Sequence, residues 1–258
     1  MAKLMTYALA GALAVAFAPV AGLAADLPEP PLLEPIPEPV EFGSSWYLRG
    51  DVGYKFYRDP SASYDNPYFK RAGLSKYKDE DVDDAFIIGG GAGYKWNNWV
   101  RTDVTVDYET KADFKGRLGC PGCGGVAGYS TEKSKISALT FLANAYFDLG
   151  TWEGFTPYVG AGIGASRIHM SGFRSKNPGA GGYEDGPGSG SDWNFAWALM
   201  AGVGYQVSDN VVIDANYRYV NLGDVKSKSY TAAGESGRVK VKNLQANEVR
   251  LGVRYMLD

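Results

Sequence analysis

The sequence predicts an all-β protein, an eight-stranded antiparallel up-and-down transmembrane β-barrel with short periplasmic turns and long extracellular loops. Apolar and polar residues alternate along eight segments, and the connections between these segments are alternately short and long. Aromatic residues stand near the apolar ends of the segments. The three features belong together in a transmembrane barrel, because each strand faces lipid on one side and the barrel interior on the other.

Residues 1–25 have the composition of a secretory signal peptide. Lys3 is their only charged residue, an apolar core follows from Leu4 to Phe17, and small residues occupy 21–25. The apolar core is shorter than the roughly 20 residues that span a bilayer, so a short anchor helix is the weaker alternative. We therefore expect the chain to be exported and cleaved near Asp26.

Residues 26–43 form a proline-rich arm, since six of the sixteen residues from 26 to 41 are proline. This composition favours an extended polyproline-type segment without a core of its own. We expect the arm to lie in the periplasm, either as a spacer or as a docking segment for an envelope partner. Residues 44–258 are predicted to form the barrel.

The strand predictions depend on alternation, because successive side chains of a strand point to opposite faces. Apolar positions recur at every second residue in segments near 46–56, 85–96, 99–109, 135–149, 156–168, 193–207, 211–220 and 244–257. Short turns are predicted at 97–98, 150–155 and 208–210. Long loops are predicted near 57–84, 110–134, 170–192 and 221–243. Strands of this length match a tilted crossing of the hydrocarbon layer.

Aromatic residues near the strand ends are predicted to form two girdles at the membrane interfaces. The residues assigned to these girdles are Trp46, Phe56, Trp96, Tyr108, Tyr205, Tyr219 and Tyr255. A soluble β-sandwich or a lipocalin-like barrel is the alternative. It is disfavoured because eight inward rows rich in aromatic rings would overfill so small a barrel.

The charged face of the strands is therefore predicted to line the interior, where opposite charges can pair, as a low-dielectric interior requires. The predicted ion-pair network of the lumen consists of Arg49, Asp51, Lys55, Arg101, Asp103, Asp107, Asp214, Arg218, Glu248, Arg250 and Arg254. The formal net charge of the chain is only −3, and no basic patch suited to nucleic acid is present. Outer-membrane lipid and lipopolysaccharide are the expected surroundings.

Four segments together resemble the small outer-membrane β-barrel surface proteins of Gram-negative bacteria, the porin-family, opacity-like proteins. These segments are 46–55 (WYLRGDVGYK), 157–164 (PYVGAGIG), 213–223 (IDANYRYVNLG) and 248–255 (EVRLGVRY). The resemblance covers roughly 44–257. It implies an eight-stranded barrel in the cell outer membrane that contributes to envelope integrity. In some members it implies contacts with host surfaces or haem through the loops, and cell-wall contacts are a further expectation.

The first functional hypothesis is a non-enzymatic surface protein whose lumen is plugged by ion pairs. The rival hypothesis is a narrow diffusion channel for small ions, since inward glycines at 89, 91, 93, 160, 162 and 164 could leave a gap. Those glycines also suit close packing of bulky neighbours.

A third hypothesis is a lipid A-modifying enzyme that uses His169 and Ser171, oriented by Glu184 or Asp185. This hypothesis is the weakest, because nothing in the sequence fixes these acids near His169.

We expect no cofactor and no metal site. Cys120 and Cys123 are predicted to form a small loop disulfide in an exported protein, with a redox motif as the alternative. The acidic run Asp79–Asp84 could hold a divalent cation, but it lacks the spacing of a calcium loop. Aromatic residues of the loops are candidates for adhesion or ligand contact. They are Tyr64, Tyr68, Phe69, Tyr77, Phe173 and Tyr183.

Overall fold

The computed structural model describes residues 45–58, 60–120, 128–177 and 182–257, without the side chains of Cys120 and of Gly182–Asp185. One short helix, α1 (Pro67–Arg71), accompanies the strands. The strands are β1 (Trp46–Tyr57), β2 (Ser61–Tyr64), β3 (Tyr77–Val82), β4 (Ala85–Lys95), β5 (Val100–Cys120), β6 (Gly128–Asp148), β7 (Phe155–Asn177), β8 (Gly182–Asp185), β9 (Gly190–Gln206), β10 (Val211–Asn221), β11 (Val225–Lys226), β12 (Tyr230–Ala232), β13 (Glu235–Gly237), β14 (Val239–Lys242) and β15 (Gln245–Met256). Within these ranges, no helix has the length and apolarity needed to cross a membrane.

In the described part of the chain, eight strands form a ring in which each strand pairs antiparallel with two neighbours. Their order is β1, β4, β5, β6, β7, β9, β10 and β15, which is also their order in the sequence. The first and last strands close the ring, with pairs running from Tyr47 opposite Met256 to Tyr57 opposite Ala246. A ring satisfies the backbone hydrogen bonds that an open sheet edge would leave unpaired in lipid. The predicted eight-stranded antiparallel barrel is confirmed.

Short turns join β4 to β5, β6 to β7 and β9 to β10, whereas the β1–β4, β7–β9 and β10–β15 connections are long and contain further short strands. In the first turn, Asn97 Oδ1 accepts hydrogen bonds from the backbone N–H groups of Trp99 and Val100, each at 2.8 Å. The asparagine side chain thereby supplies partners that the backbone of this short turn does not.

The predicted loops at 110–134 and 170–192 are wrong over much of their length. β5 continues to Cys120, β6 starts at Gly128 and β7 continues to Asn177, all as paired strands. Two physical changes hid these extensions. A register shift between Glu109 and Ala112 reverses the phase of β5, and a bulge inserts an extra residue in this way. The polarity of the faces also inverts above the membrane.

This inversion places apolar side chains inside and charged side chains outside in the extracellular half of the ring. Phe114 and Ile136 are completely buried, while Lys115 and Lys133 are exposed. The outer face meets water here rather than lipid, so it must be polar. The ring is one continuous structure with opposite polarity in its two halves.

A cap formed by the long connections fills the extracellular half of the ring. β2, β11 and β14 form a three-stranded sheet, and β12 pairs with β13 as a small hairpin. These elements join the barrel wall in a core of apolar side chains. Its fully buried members include Phe114, Ile136, Ile168, Met170, Leu222, Val225, Val241 and Leu244. The interior therefore changes from charged at membrane level to apolar beneath the cap.

Candidate functional site

The candidate site is the charged lumen of the ring. The structure brings the eleven residues of the predicted network inside it, each at most 7% exposed. They come from four strands, β1, β5, β10 and β15. Asp148 of β6 adds a buried carboxylate that was not in the predicted set. The alternation of each strand aims these side chains away from lipid.

Arg49 connects two carboxylates in the lumen. Its Nε and Nη2 atoms donate to the two carboxylate oxygens of Asp51 at 2.9 and 2.7 Å, and its Nη1 donates to Asp103 Oδ2 at 2.9 Å. Asp103 also accepts from the Tyr47 hydroxyl at 3.1 Å and from Asn144 Nδ2 at 2.7 Å. Bidentate, charge-assisted contacts of this kind fix the guanidinium in one orientation.

Arg101 lies between two tyrosine rings. Its guanidinium carbon is 4.0 Å from the ring centre of Tyr146 and 4.3 Å from that of Tyr158, and its Nε donates to Asp148 Oδ1 at 3.0 Å. Within the described residues, its Nη1 and Nη2 atoms have no hydrogen-bond partner. The faces of the two rings supply cation–π attraction in their place.

Two arginines converge on Asp107 farther along the lumen. Arg218 Nη1 donates to Asp107 Oδ2 at 2.7 Å. Arg250 donates to both oxygens of the same carboxylate, at 3.0 and 2.5 Å, and to Glu248 Oε2 at 3.3 Å. A single carboxylate thus holds two guanidinium groups from neighbouring strands together.

Lys55 lies near the end of β1. Its Nζ lies 2.5 Å from Glu109 Oε2 and 3.3 Å from Glu248 Oε1. The hydroxyl of Tyr57 also donates to Glu109. Glu248 therefore links this ion pair to the arginine pair around Asp107 and joins the two into one network.

Several partners in this network were not in the predicted set, namely Tyr47, Glu109, Asn144, Tyr146, Asp148 and Tyr158. The signal that could have found Glu109 and Asp148 is the same alternation, because both occupy the polar face of their strands. The tyrosines carried no such signal, since an aromatic residue suits either face of a barrel strand.

Glycines of the neighbouring wall are covered by these side chains. A Cβ atom added at Gly89 would lie 2.0 Å from Asp107 Oδ1 and 2.7 Å from an Arg250 nitrogen. A Cβ atom at Gly162 would lie 2.1 Å from Asn144 Oδ1. Real Cβ atoms do not approach other atoms so closely, so the long side chains occupy the space that these glycines leave.

The network leaves no buried cation of the described lumen without a carboxylate partner. Arg254 Nε, the remaining case, donates to Asp214. Removing charges from water is costly, and their mutual attraction offsets this cost only with good geometry and further hydrogen bonds.

The outer face of the ring at membrane level is apolar. Of the seven residues predicted for the girdles, the structure exposes six to the surroundings, whereas Tyr219 is half-buried and packs against Trp197 with 5.5 Å between ring centres. Further aromatic residues are exposed on this face. They include Phe86, Trp99, Phe147, Trp152, Phe155, Trp193 and Phe195.

A model of the outer membrane protein beta-barrel domain matches residues 10–256 of this sequence. The chain belongs to this outer-membrane β-barrel family.

Proteins similar to this chain are found in several bacteria. The chain is 34% identical over 266 residues to an uncharacterised protein of Brucella melitensis, covering 91% of this chain and 92% of that protein. It is 29% identical over 220 residues to a candidate adhesin of Rickettsia bellii, covering 82% and 87%. The crystal structure of OprG from Pseudomonas aeruginosa is similar in fold, with a TM-score of 0.52 and 16% identity over 83% of this chain and 98% of that one.

Membership of this family agrees with the apolar outer face and places the protein in the cell outer membrane. The long connections are then its extracellular face, as the sequence predicts, and the cap lies outside the cell.

The acidic run at the extracellular end forms ion pairs on the outside of β5. Asp79 pairs with Arg117, and Asp83 lies 3.1 Å from Lys115. In the described ranges, no group of three or more His, Cys, Asp or Glu residues is arranged to hold a metal ion. These ion pairs connect the acidic run to the outer face of β5 in the barrel extension.

The aromatic loop residues mostly point into the cap rather than towards a partner. Tyr64, Tyr77 and Phe173 are buried, and Phe69 packs against the same core. Tyr68 on α1 is 38% exposed, and the side chain of Tyr183 lies outside the described part. Burial of Tyr64, Tyr77 and Phe173 leaves them little surface for adhesion, whereas their role in ligand contact stays a prediction.

His169 lies on the barrel extension, and its Nδ1 is 2.7 Å from Ser191 Oγ on the neighbouring strand. Ser171 is aligned with Lys135 on the other neighbouring strand. The side chains of Glu184 and Asp185 lie outside the described part, as does the predicted pairing of Cys120 with Cys123.

Proposed function

We propose that this protein is a non-enzymatic outer-membrane barrel with a non-conducting lumen, which contributes to envelope integrity and makes surface contacts through its extracellular end. The observation that carries the proposal is the ion-pair network. Arg101, Arg218 and Arg250 are each at most 1% exposed inside the ring. An interior of eight strands is just wide enough to be filled by side chains, and here those side chains are mutually neutralised.

Conductance of the refolded protein in a planar bilayer tests the lumen. We expect no steady current from the native protein, because ions would have to break several buried ion pairs to pass. Arg250→Ala removes the guanidinium that bridges Asp107 and Glu248. We expect this variant to leak cations, since two carboxylates would then face an enlarged passage.

Arg174→Ala is the matched control, because Arg174 is exposed on the outside of β7. It should be as silent as the native protein. A gel-mobility difference between unheated and heated samples verifies that each variant has folded. Steady current through the folded native protein would instead support the alternative, a narrow diffusion channel for small ions.

The surface-contact part of the proposal is supported by the folded cap and by the relative from Rickettsia bellii that is described as a candidate adhesin. We expect non-adherent laboratory bacteria that display this chain to bind cultured host cells several-fold better than bacteria carrying an empty vector. Tyr68→Ala should lower this binding, because an exposed aromatic ring is a typical contact residue at interfaces.

Tyr108→Ala is the control for the loss of one aromatic ring, because Tyr108 lies on the outer face at membrane level. Equal amounts of each chain at the cell surface must be verified with an antibody. Equal binding by displaying and non-displaying bacteria would contradict the surface-contact role and leave envelope integrity as the function.

A further inference from the structure

A small cavity lies beneath the cap, in the apolar extracellular half of the ring. Its volume is about 140 Å³, and it is not fully enclosed. The wall contributes Glu132 from β6 and Ser175 from β7, and the cap contributes Tyr64 and Tyr230. An engineered protein cavity of about 150 Å³ holds one benzene molecule, so the volume suits a compact apolar body.

Glu132 distinguishes this cavity from a packing defect. It is only 4% exposed, and within the described residues it is a buried carboxylate with no cation within 4 Å, unlike those of the lumen. Ser130 and Ser175 both donate to its Oε1, each at 2.7 Å. These two bonds stabilise a negative charge on the carboxylate, and they leave Oε2 for another donor.

Aromatic rings form much of the remaining lining. They belong to Tyr64, Phe69, Tyr77, Phe173 and Tyr230. Edge-to-face contacts hold some of these rings in place, with 5.2 Å between the ring centres of Tyr64 and Phe69. Faces of aromatic rings attract organic cations, and cages of such rings recognise ammonium groups.

We propose that this cavity binds a small organic ammonium ion, a molecule with one compact apolar group and one protonated amine. The amine would donate to the carboxylate of Glu132, and the aromatic rings would enclose the apolar body. The ligand would supply the positive charge that the wall of this cavity does not offer Glu132.

Proton linkage predicts how binding should depend on pH. Burial raises the pKa of the Glu132 carboxyl above its usual range, against the opposing effect of the Ser130 and Ser175 hydrogen bonds. The other titratable groups that line the cavity are the phenols of Tyr64, Tyr77 and Tyr230, and burial raises the pKa of the Tyr64 and Tyr77 hydroxyls. Binding of a cation favours the ionised carboxylate, so affinity should fall by up to about tenfold per pH unit below the pKa of Glu132.

Calorimetric titration of the refolded protein in lipid nanodiscs tests the proposal, with benzylammonium as the probe. Benzyl alcohol, of similar size but uncharged, is the comparison ligand. We expect benzylammonium to bind at least tenfold more tightly than benzyl alcohol at pH 7. Glu132→Gln keeps the shape of the side chain and should abolish this preference while benzyl alcohol still binds.

Two further variants keep the test decisive. Asp81→Asn removes a carboxylate from the exposed side of β3 and should leave both affinities unchanged. Ala232→Trp should fill the cavity and block both probes, because Ala232 lines it. Equal binding of benzylammonium to the native protein and to Glu132→Gln would overturn the proposal, as would failure of the folded native protein to bind benzylammonium.

Discussion

Arg101 and Arg117 make the same kinds of contact in opposite environments. Each pairs with an aspartate and lies near a tyrosine ring, but Arg101 is 1% exposed in the lumen, whereas the Arg117 side chain is 54% exposed on the barrel extension. Desolvation makes the difference. A buried charge that loses its partner has no water to replace it, whereas an exposed charge does.

Arg101→Ala should therefore destabilise the barrel strongly, by about 3–5 kcal/mol, because Asp148 would remain buried without its cation. Arg117→Ala should cost about 1 kcal/mol or less. Urea unfolding in lipid vesicles, followed by tryptophan fluorescence, measures both changes. Equal losses from the two variants would show that burial of the Arg101–Asp148 pair adds nothing beyond a surface ion pair.

Alternation was enough to select the charged side chains that the structure places inside, including Arg101. It was not enough to identify their partners. Tyr146 and Tyr158 lie on adjacent strands and meet Arg101 only because β6 and β7 pair with Asp148 opposite Tyr158. Such a register depends on the turn between two strands, and the sequence pattern of one strand does not contain it.

At the scale of elements, Asp65 connects helix α1 to strand β14 within the cap. It precedes α1 and pairs with Lys240 of β14 and with Lys70 of the helix. The Lys240 hydrogen bond, followed by that of Lys70, lowers the pKa of Asp65 to about 2. The ionised carboxylate thus joins the helix to the three-stranded sheet that covers the ring.

Asp65→Asn should loosen the cap at neutral pH and increase amide hydrogen exchange in α1 and β14 several-fold. A lowered pKa stabilises the folded state above the usual value of about 4, and this stabilisation is lost as the pH falls towards about 2. In urea unfolding, the native protein should lose this contribution to its free energy of unfolding as the pH falls from about 4 towards about 2. The Asp65→Asn variant should not show this pH-dependent loss. Asp209→Asn, in an exposed turn, is the control; a similar effect from it would contradict the role of Asp65.

The extensions of β5, β6 and β7 show where element prediction failed and why. At membrane level, lipid requires an apolar outer face, and the rule that apolar residues face outwards holds. Above the membrane, water requires a polar outer face, and the cap requires an apolar inner one. The alternation continues there, but apolar residues now face inwards and polar residues outwards. The register shift after Glu109 also changes the phase of the alternation. The sequence of this part therefore does not match the pattern of a membrane-level strand, and a loop is predicted instead.

At the scale of the whole molecule, the number and order of the barrel strands could be predicted, because the hydrocarbon layer imposes one length and one polarity rule on every strand. The cap could not be predicted in this way. Its short strands, β2, β11 and β14, come from two connections distant in sequence and pair only because the ring brings the ends of these connections together.

The tall β5–β6 hairpin also determines what an approaching particle meets first. From Glu109 to Cys120 the strand covers about 35 Å at roughly 3.3 Å per residue, and a strand tilt of 35–45° turns this into a height of about 25–30 Å. The upper ends of these strands therefore stand well above the membrane-level part of the ring. The lumen lies below this extension, so we expect substitutions of exposed residues there to leave the ion pairs undisturbed.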